Sequence, residues 1–323
     1  MPKYIEYNLN GQSPLVSVII NCYNGDAYLK QAIDSVIKQT YLNWEIILWD
    51  NVSTVDIKSI ARSFNDPRIK YHLATHHTAL GEARNQAISV AKGAYLAFLD
   101  SDDLWGNKKL ESQVNLFQKD DGLVLVYTDV ESFNASGNRR RHGGYKRYYR
   151  GEIFGKLIED YFLIMSAVMI RAETYFTHQI SFNPKFQMVE ESDVFTRISL
   201  YGRADYVDEV LSYWRVHKNS VTWSNYGLIA SESEEMIYGL IEDFPGIQEK
   251  YPKQFLSKKS WILRQKILSL WLNNNGGEAR SLIKNNYDLV SSKVKLFYWF
   301  TWLRPKLFAK MLFHFFGSTV TPD

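Results

Sequence analysis

The sequence predicts an α/β fold: a mostly parallel sheet flanked by helices, with a helical extension after it. Three observations predict it. Strand-length runs rich in β-branched residues alternate with segments of helical period, the runs are apolar on both faces as central parallel strands are, and polar residues gather just past their carboxyl ends. With 323 residues, 46% of them apolar, the chain can bury one large or two modest cores.

The elements follow in order. "VSVIINCYN" (16–24) reads as a buried strand, and "DAYLKQAIDSVIKQ" after it sets Leu29, Ala32, Ile33, Val36 and Ile37 on one helical face. "EIILWD" (45–50) is a second strand, followed by a helix whose face holds Ile57, Ile60, Ala61 and Phe64; "RIKYHLA" (68–74) reads as a further strand. The helix "GEARNQAISVAK" (81–92) is expected to stop at Gly93 as its C′ residue and to lead into the strand "AYLAFLD". "LVLVYTD" (123–129) reads as one more strand. Beyond residue 150 come an acidic turn entering a helix at "VEESDVFTRI", a strand ending near His217, and a helical region after Trp223 broken at "NNNGG" (273–277). The expected domains are 14–222 and 223–323.

Ligands of open α/β sheets bind beyond the carboxyl ends of the strands. Here those ends carry Asn21, Tyr23 and Asn24, then Asp50 and Asn51, then Asp100, Asp102 and Asp103. Each set alone is also what turns and helix caps use. Their recurrence at three strand ends is what points to a site.

The segments "SVIINCYNGDAYLKQAIDSVIKQTYLNWEIILWDN", "GEARNQAISVAKGAYLAFLDSDD", "EESDVFTRI" and "YWRVHKNSVT" resemble, in the same order, those of family 2 glycosyltransferases with a GT-A fold, over roughly residues 14–222. The resemblance implies an inverting transferase that uses a nucleotide-sugar donor, with UDP expected, and Mn²⁺ or Mg²⁺ as cofactor. Carboxylates suit such a cation, which neutralises charge developing on a diphosphate leaving group. By resemblance Asp103 is the direct metal ligand, Asp102 touches the ribose or the metal, Asp100 shapes the turn, and His217 ligates the cation or donates to a phosphate. Tyr23 is placed to stack on the base, with Asn21, Asn24 and Asp50 around it. Asn51 stands where many members carry an acid, and its amide can still pair with a pyrimidine edge. Arg84 lies near the diphosphate or pairs an internal carboxylate. Glu191, where Asp is commoner, is the expected base for the acceptor hydroxyl. Its neighbours Glu190 and Asp193 are candidates too, and acids at a helix N-terminus also serve the macrodipole.

Charge is unevenly spread. Residues 251–323 hold twelve Lys/Arg against three Asp/Glu, a balance of +9 that leaves −6 for residues 1–250 of a chain at +3 overall. The tail "KVKLFYWFTWLRPKLFAKMLFHFF" (293–316) is aromatic and basic, too short in its apolar runs to span a bilayer, and suits either peripheral membrane contact or packing on the core. "RRRHGGYKRYYR" (139–150) reads as a basic loop with no nucleic-acid module around it, so no nucleic acid is expected; a glycan or lipid-linked saccharide is the expected acceptor. The opening residues read as neither signal nor transit peptide and the single cysteine, Cys22, fits a reducing compartment, so a cytoplasmic protein is expected, in solution or at the inner membrane face. Two rival readings stay open: a sugar nucleotidyltransferase and a non-catalytic nucleotide-sugar-binding protein.

Overall fold

The computed structural model describes residues 13–142, 148–217 and 225–302. They form two compact units, one of residues 13–154 and 162–217, the other of 155–161 and 225–302.

The first unit is built on one sheet. Strands β1 (Val16–Cys22) and β2 (Trp44–Asp50), with α1 (Asp26–Ile37) between them, run parallel, and after α2 (Ile57–Arg62) strand β3 (Ile69–Leu73) joins β2 in parallel. Next come α3 (Leu80–Ser89), β4 (Tyr95–Phe98), the two-residue β5 (Leu104–Trp105), α4 (Lys109–Lys119), β6 (Leu123–Phe133) and β7 (Arg139–Arg141). Then, past α5 (Phe154–Glu159), whose residues from 155 on belong to the second unit, β8 (Val168–Arg171), α6 (Ala172–Thr177), α7 (Glu190–Ile198) and the long β9 (Arg203–Arg215) follow. The strand order is β3-β2-β1-β4-β8-β6-β9-β5, with β7 on β6. The β3-β2-β1-β4 half is parallel, as the apolar runs predict, whereas β8 lies antiparallel between β4 and β6, and β5 and β7 add antiparallel pairs. Those late, short strands carry no alternation of their own, so only the pairing reveals them.

The core forms because one side of β1 (Val16, Val18, Ile20, Cys22) and of β2 (Trp44, Ile46, Leu48) meets the buried stripe Leu29, Ala32, Ile33 and Val36 of α1. Register then determines where the polar ends fall: Cys22 pairs with Asp50, and Asp50 with Leu73, so the loops after β1, β2 and β3 leave the sheet at one edge.

Two sequence expectations change. Helix α3 ends at Ser89, not at 92, and Gly93 is no left-handed C′ residue; a Cβ there would sit 2.4 Å from the Ser17 backbone nitrogen, so close backbone packing is what requires glycine. The basic segment is not all loop. Arg139–Arg141 form β7, with Arg139 paired to Glu131 and Arg141 to Asp129, while Arg150 pairs with Asp205; residues 143–147 lie outside the described residues.

The second unit is helical: α8 (Tyr226–Asp243), α9 (Ile247–Lys250), α10 (Pro252–Leu272), α11 (Gly276–Asn285) and α12 (Ser292–Phe300). Its last three helices close over Ile267, Trp271, Ile283, Val294 and Phe297, where the Trp271 and Phe297 rings meet edge to face at 5.2 Å. None of the described helices is long and apolar enough to cross a membrane.

Candidate active site

At the shared edge the three loops are tied to one another. Asn24 takes a left-handed backbone (φ 52°), its side-chain oxygen accepting from the Thr54 backbone N–H at 2.8 Å, while its own N–H donates to Ser53 Oγ. Asn51 turns its amide to Thr78, donating to the carbonyl at 2.8 Å and accepting from the N–H at 3.1 Å. Asp50 accepts from Ser53 N–H and from Tyr71 Oη, both at 2.8 Å. Asp50 and Asn51 are buried, and through these bonds they set the shape of the edge.

Two groups there remain open. The Tyr23 ring is 52% exposed and lies against the His77 ring, centroids 4.3 Å apart, with His77 Nδ1 bonded to the Asn51 carbonyl oxygen. Asn21 Nδ2 is buried without a hydrogen-bond partner, so its desolvation is uncompensated. His77 carries no signal in sequence beyond its place after β3, where the strand-end criterion applies as it does after β1 and β2.

The turn after β4 separates its three carboxylates. Asp102 faces outward, its Oδ2 2.8 Å from His217 Nε2, and both side chains keep part of their surface exposed. Asp103 faces inward and is almost fully buried: Oδ2 accepts from Ser166 Oγ at 2.6 Å and Oδ1 from the Arg215 N–H at 2.9 Å. Burial, with Asp100 and Asp102 nearby, raises its pKa well above the carboxylate range. Both its oxygens thus serve the fold, and Asp102 is the carboxylate of the turn that faces outward beside His217. Arg215 locks the same turn from β9, its Nε donating to the Asp102 carbonyl at 2.7 Å and its guanidinium stacked on Tyr28 and Phe133. Ser166 has no sequence signature and Arg215 only its place in "YWRVHKNSVT", since their roles arise from the turn before β8 and the end of β9 folding back on the Asp100–Asp103 turn.

A hard oxygen donor and an imidazole nitrogen, adjacent and both partly exposed, are ligand types that suit a divalent cation. No group of three or more His, Cys, Asp or Glu placed to bind a metal occurs among the described residues.

Helix α7 opens with Glu190, Glu191 and Asp193, and their fates differ. Glu190 accepts from Arg84 at 2.7 Å and Asp193 from Arg197 at 2.7 Å. Glu191 makes no ion pair among the described residues. Its pKa is raised to about 8, first by burial and then by the Glu190 charge, against the pull of Arg84. Arg84 is buried and spans two elements, gripping Glu190 on α7 and Asp100 at 3.3 Å in the turn. Of the two sequence readings, the internal pairing is formed here. It ties the Glu191 helix to the Asp102 turn. The next residue, Asn85, hydrogen-bonds both the N–H and the carbonyl of Phe182 and so fixes the segment leading to α7.

Comparison with known proteins fits this geometry. Residues 17–176 match the family model "Glycosyl transferase family 2". An Escherichia coli protein named UDP-Glc:alpha-D-GlcNAc-diphosphoundecaprenol beta-1,3-glucosyltransferase WfgD is 40% identical over 122 residues, 37% of this chain and 47% of that one. The hyaluronan synthase of Pasteurella multocida is 27% identical over 218 residues, 67% of this chain and 22% of the synthase, so the chain spans less than half the length of these relatives. Among solved structures, S. aureus TarS 1–349 in complex with UDP-GlcNAc aligns with a TM-score of 0.64 at 16% identity, over 86% of this chain and 82% of TarS. The mannosyltransferase PcManGT from Pyrobaculum calidifontis, in complex with GDP-Man and Mn²⁺, aligns with a TM-score of 0.59 at 17% identity, over 96% and 89%. At such identities the likeness is one of fold. Residues 17–176 thus form a glycosyl transferase family 2 domain.

Proposed function

We propose that the protein transfers a sugar from a UDP-sugar to a hydroxyl of a lipid-diphosphate-linked saccharide, inverting the anomeric centre in one displacement. Tyr23 and His77 receive the base, and Asn21 Nδ2 donates to the nucleotide. Asp102 and His217 would hold Mn²⁺ or Mg²⁺, which neutralises charge on the diphosphate leaving group when bound. The acceptor oxygen forms its bond to the anomeric carbon as the Glu191 carboxylate takes the hydroxyl proton. The bond to the diphosphate oxygen breaks with its electron pair, and UDP leaves. A raised pKa makes Glu191 a stronger base once ionised than an ordinary carboxylate, and Arg84 holds it in position.

The observation that carries this reading is the Glu191 carboxylate without an ion-pair partner, on a helix that Arg84 ties through Glu190 to the turn where Asp102 meets His217. The lipid-linked acceptor and the UDP donor are drawn from the name of the E. coli relative, and such an acceptor places the reaction at a membrane face. Incubation with UDP-sugars, Mn²⁺ and a diphosphate-lipid-linked GlcNAc should release UDP and lengthen the acceptor by one sugar. Pyrophosphate release would mark a nucleotidyltransferase, and donor binding without consumption a binding protein; either overturns the proposal.

A further inference from the structure

Helix α12 has two faces of opposite character. Val294, Phe297 and, one turn on, Thr301 are buried against the second unit's core. The positions opposite them, at helical spacings, are Lys295, Leu296, Trp299 and then Trp302, and the last three are 53%, 69% and 66% exposed. A core-facing helix has no use for two exposed tryptophans. They are not isolated either: Tyr287 and Leu289, in the connection leading into α12, are exposed as well.

Cations are built into the same patch. Lys295 Nζ sits 4.0 Å from the Tyr287 ring centroid, the Arg280 guanidinium 3.7 Å from that of Trp302, and Lys284 Nζ 5.7 Å from that of Tyr298. Tryptophan and tyrosine with lysine and arginine at one level is the composition of a lipid–water interface, where amphipathic rings sit among head groups and cations meet anionic lipid. The excess of nine positive charges over residues 251–323 has the complementary sign, and an acidic protein surface would match the charge but has no need of exposed Trp and Leu. No described helix can span a bilayer, so the contact this face supports is peripheral.

We propose that the face formed by Lys295, Leu296, Trp299 and Trp302, with Tyr287, Lys284 and Arg280 beside it, docks the protein on an anionic lipid bilayer. This rests on the acceptor reading above, since a lipid-linked acceptor is met only at such a surface. It gives that reading a partner and a place on the molecule.

Co-sedimentation of the full chain with vesicles of phosphatidylcholine alone, or with about a quarter phosphatidylglycerol, tests it. The protein should pellet with the anionic vesicles and release as salt rises. Lys284→Gln with Lys295→Gln should lower the partition coefficient on anionic vesicles about 30-fold, from about 1 kcal/mol per cation, and change little on neutral ones. Trp299→Ser should weaken binding to both. Each variant should still hydrolyse UDP-sugar at the wild-type rate without acceptor, which shows it folded; if no variant and no wild type hydrolyses donor while vesicle binding behaves as stated, the transferase reading fails and the docking face stands. A wild-type protein that stays in the supernatant, because residues 303–323 or a second copy covers the face, overturns the proposal. So does vesicle binding that these three substitutions leave unchanged.

Discussion

Glu190→Gln removes the charge that, after burial itself, most raises the Glu191 carboxyl. With a pKa of about 8, Glu191 is ionised in about a tenth of molecules at pH 7 and about nine tenths at pH 9, so kcat/KM for the acceptor at saturating donor should climb about tenfold between them and then level. The substitution deletes one repelling carboxylate and frees Arg84 from its 2.7 Å ion pair, and both changes favour the ionised form. The ascending limb should therefore move to lower pH, and its position is the readout, since loss of the Arg84 tether can lower the plateau for geometric reasons. Glu191→Gln should abolish the limb and cut transfer by about 10²-fold or more while leaving donor affinity within a few-fold. Stability supplies a second signature. Because Glu191 binds its proton more tightly in the folded state, the stability gained from that proton is complete below about pH 4.5 and is lost as pH rises through about 8. Glu191→Gln cannot ionise, so it should melt above wild type at pH 9, by on the order of a few kcal/mol of stability, with the gap closing toward pH 5. A flat wild-type profile from pH 6 to 9, or a limb that Glu190→Gln does not move, refutes the reasoning.

Other outcomes can be read independently. Asp102→Asn and His217→Ala should each remove most of the Mn²⁺-dependent part of UDP-sugar affinity in calorimetry; unchanged metal dependence in either would remove that residue from the site. Asp103→Asn should instead unfold at lower denaturant, by about 1–3 kcal/mol, because an amide NH₂ must face either the Arg215 N–H or Ser166, and a variant as stable as wild type contradicts the structural role. Val52 holds a left-handed backbone (φ 64°) after β2, so Val52→Gly should stabilise by about 1 kcal/mol in urea titration; a loss would mean the side chain contributes more than the strain it imposes. Tyr23→Ala should weaken UDP binding by about tenfold with little change in melting temperature, since the ring is exposed, and equal affinity would move the base elsewhere.

The sheet was legible because its central strands are buried on both faces and so write continuous apolar runs, and because parallel register brings their ends to one edge. Antiparallel β8, β5 and β7 were not, being two to four residues long and specified by what they pair with. In the site, residue types were legible and directions were not. Asp102 and Asp103 are neighbours, yet one meets solvent and His217 while the other is sealed beneath Ser166, a difference made by strands that lie more than sixty residues further along. That Arg84 pairs with Glu190, 106 residues away, is visible only in the fold. Asn51 shows the same limit: nothing in the sequence reveals that the Thr78 backbone lies within reach of both ends of its amide.

The stitching of the three edge loops bears on how donor choice could be altered. Because Asn24 holds Thr54, Asn51 holds Thr78 and His77 hangs from the Asn51 carbonyl, the spacing of the segments around Tyr23 is a property of the main chain. On the proposed reading, in which the base lies against Tyr23 and His77, a purine in place of a pyrimidine would need the segments after β2 and β3 to part together rather than one side chain to change. Nucleotide preference would then be inherited as a block, transferable by grafting residues 50–54 with 74–79 as a pair and resistant to drift at any single position.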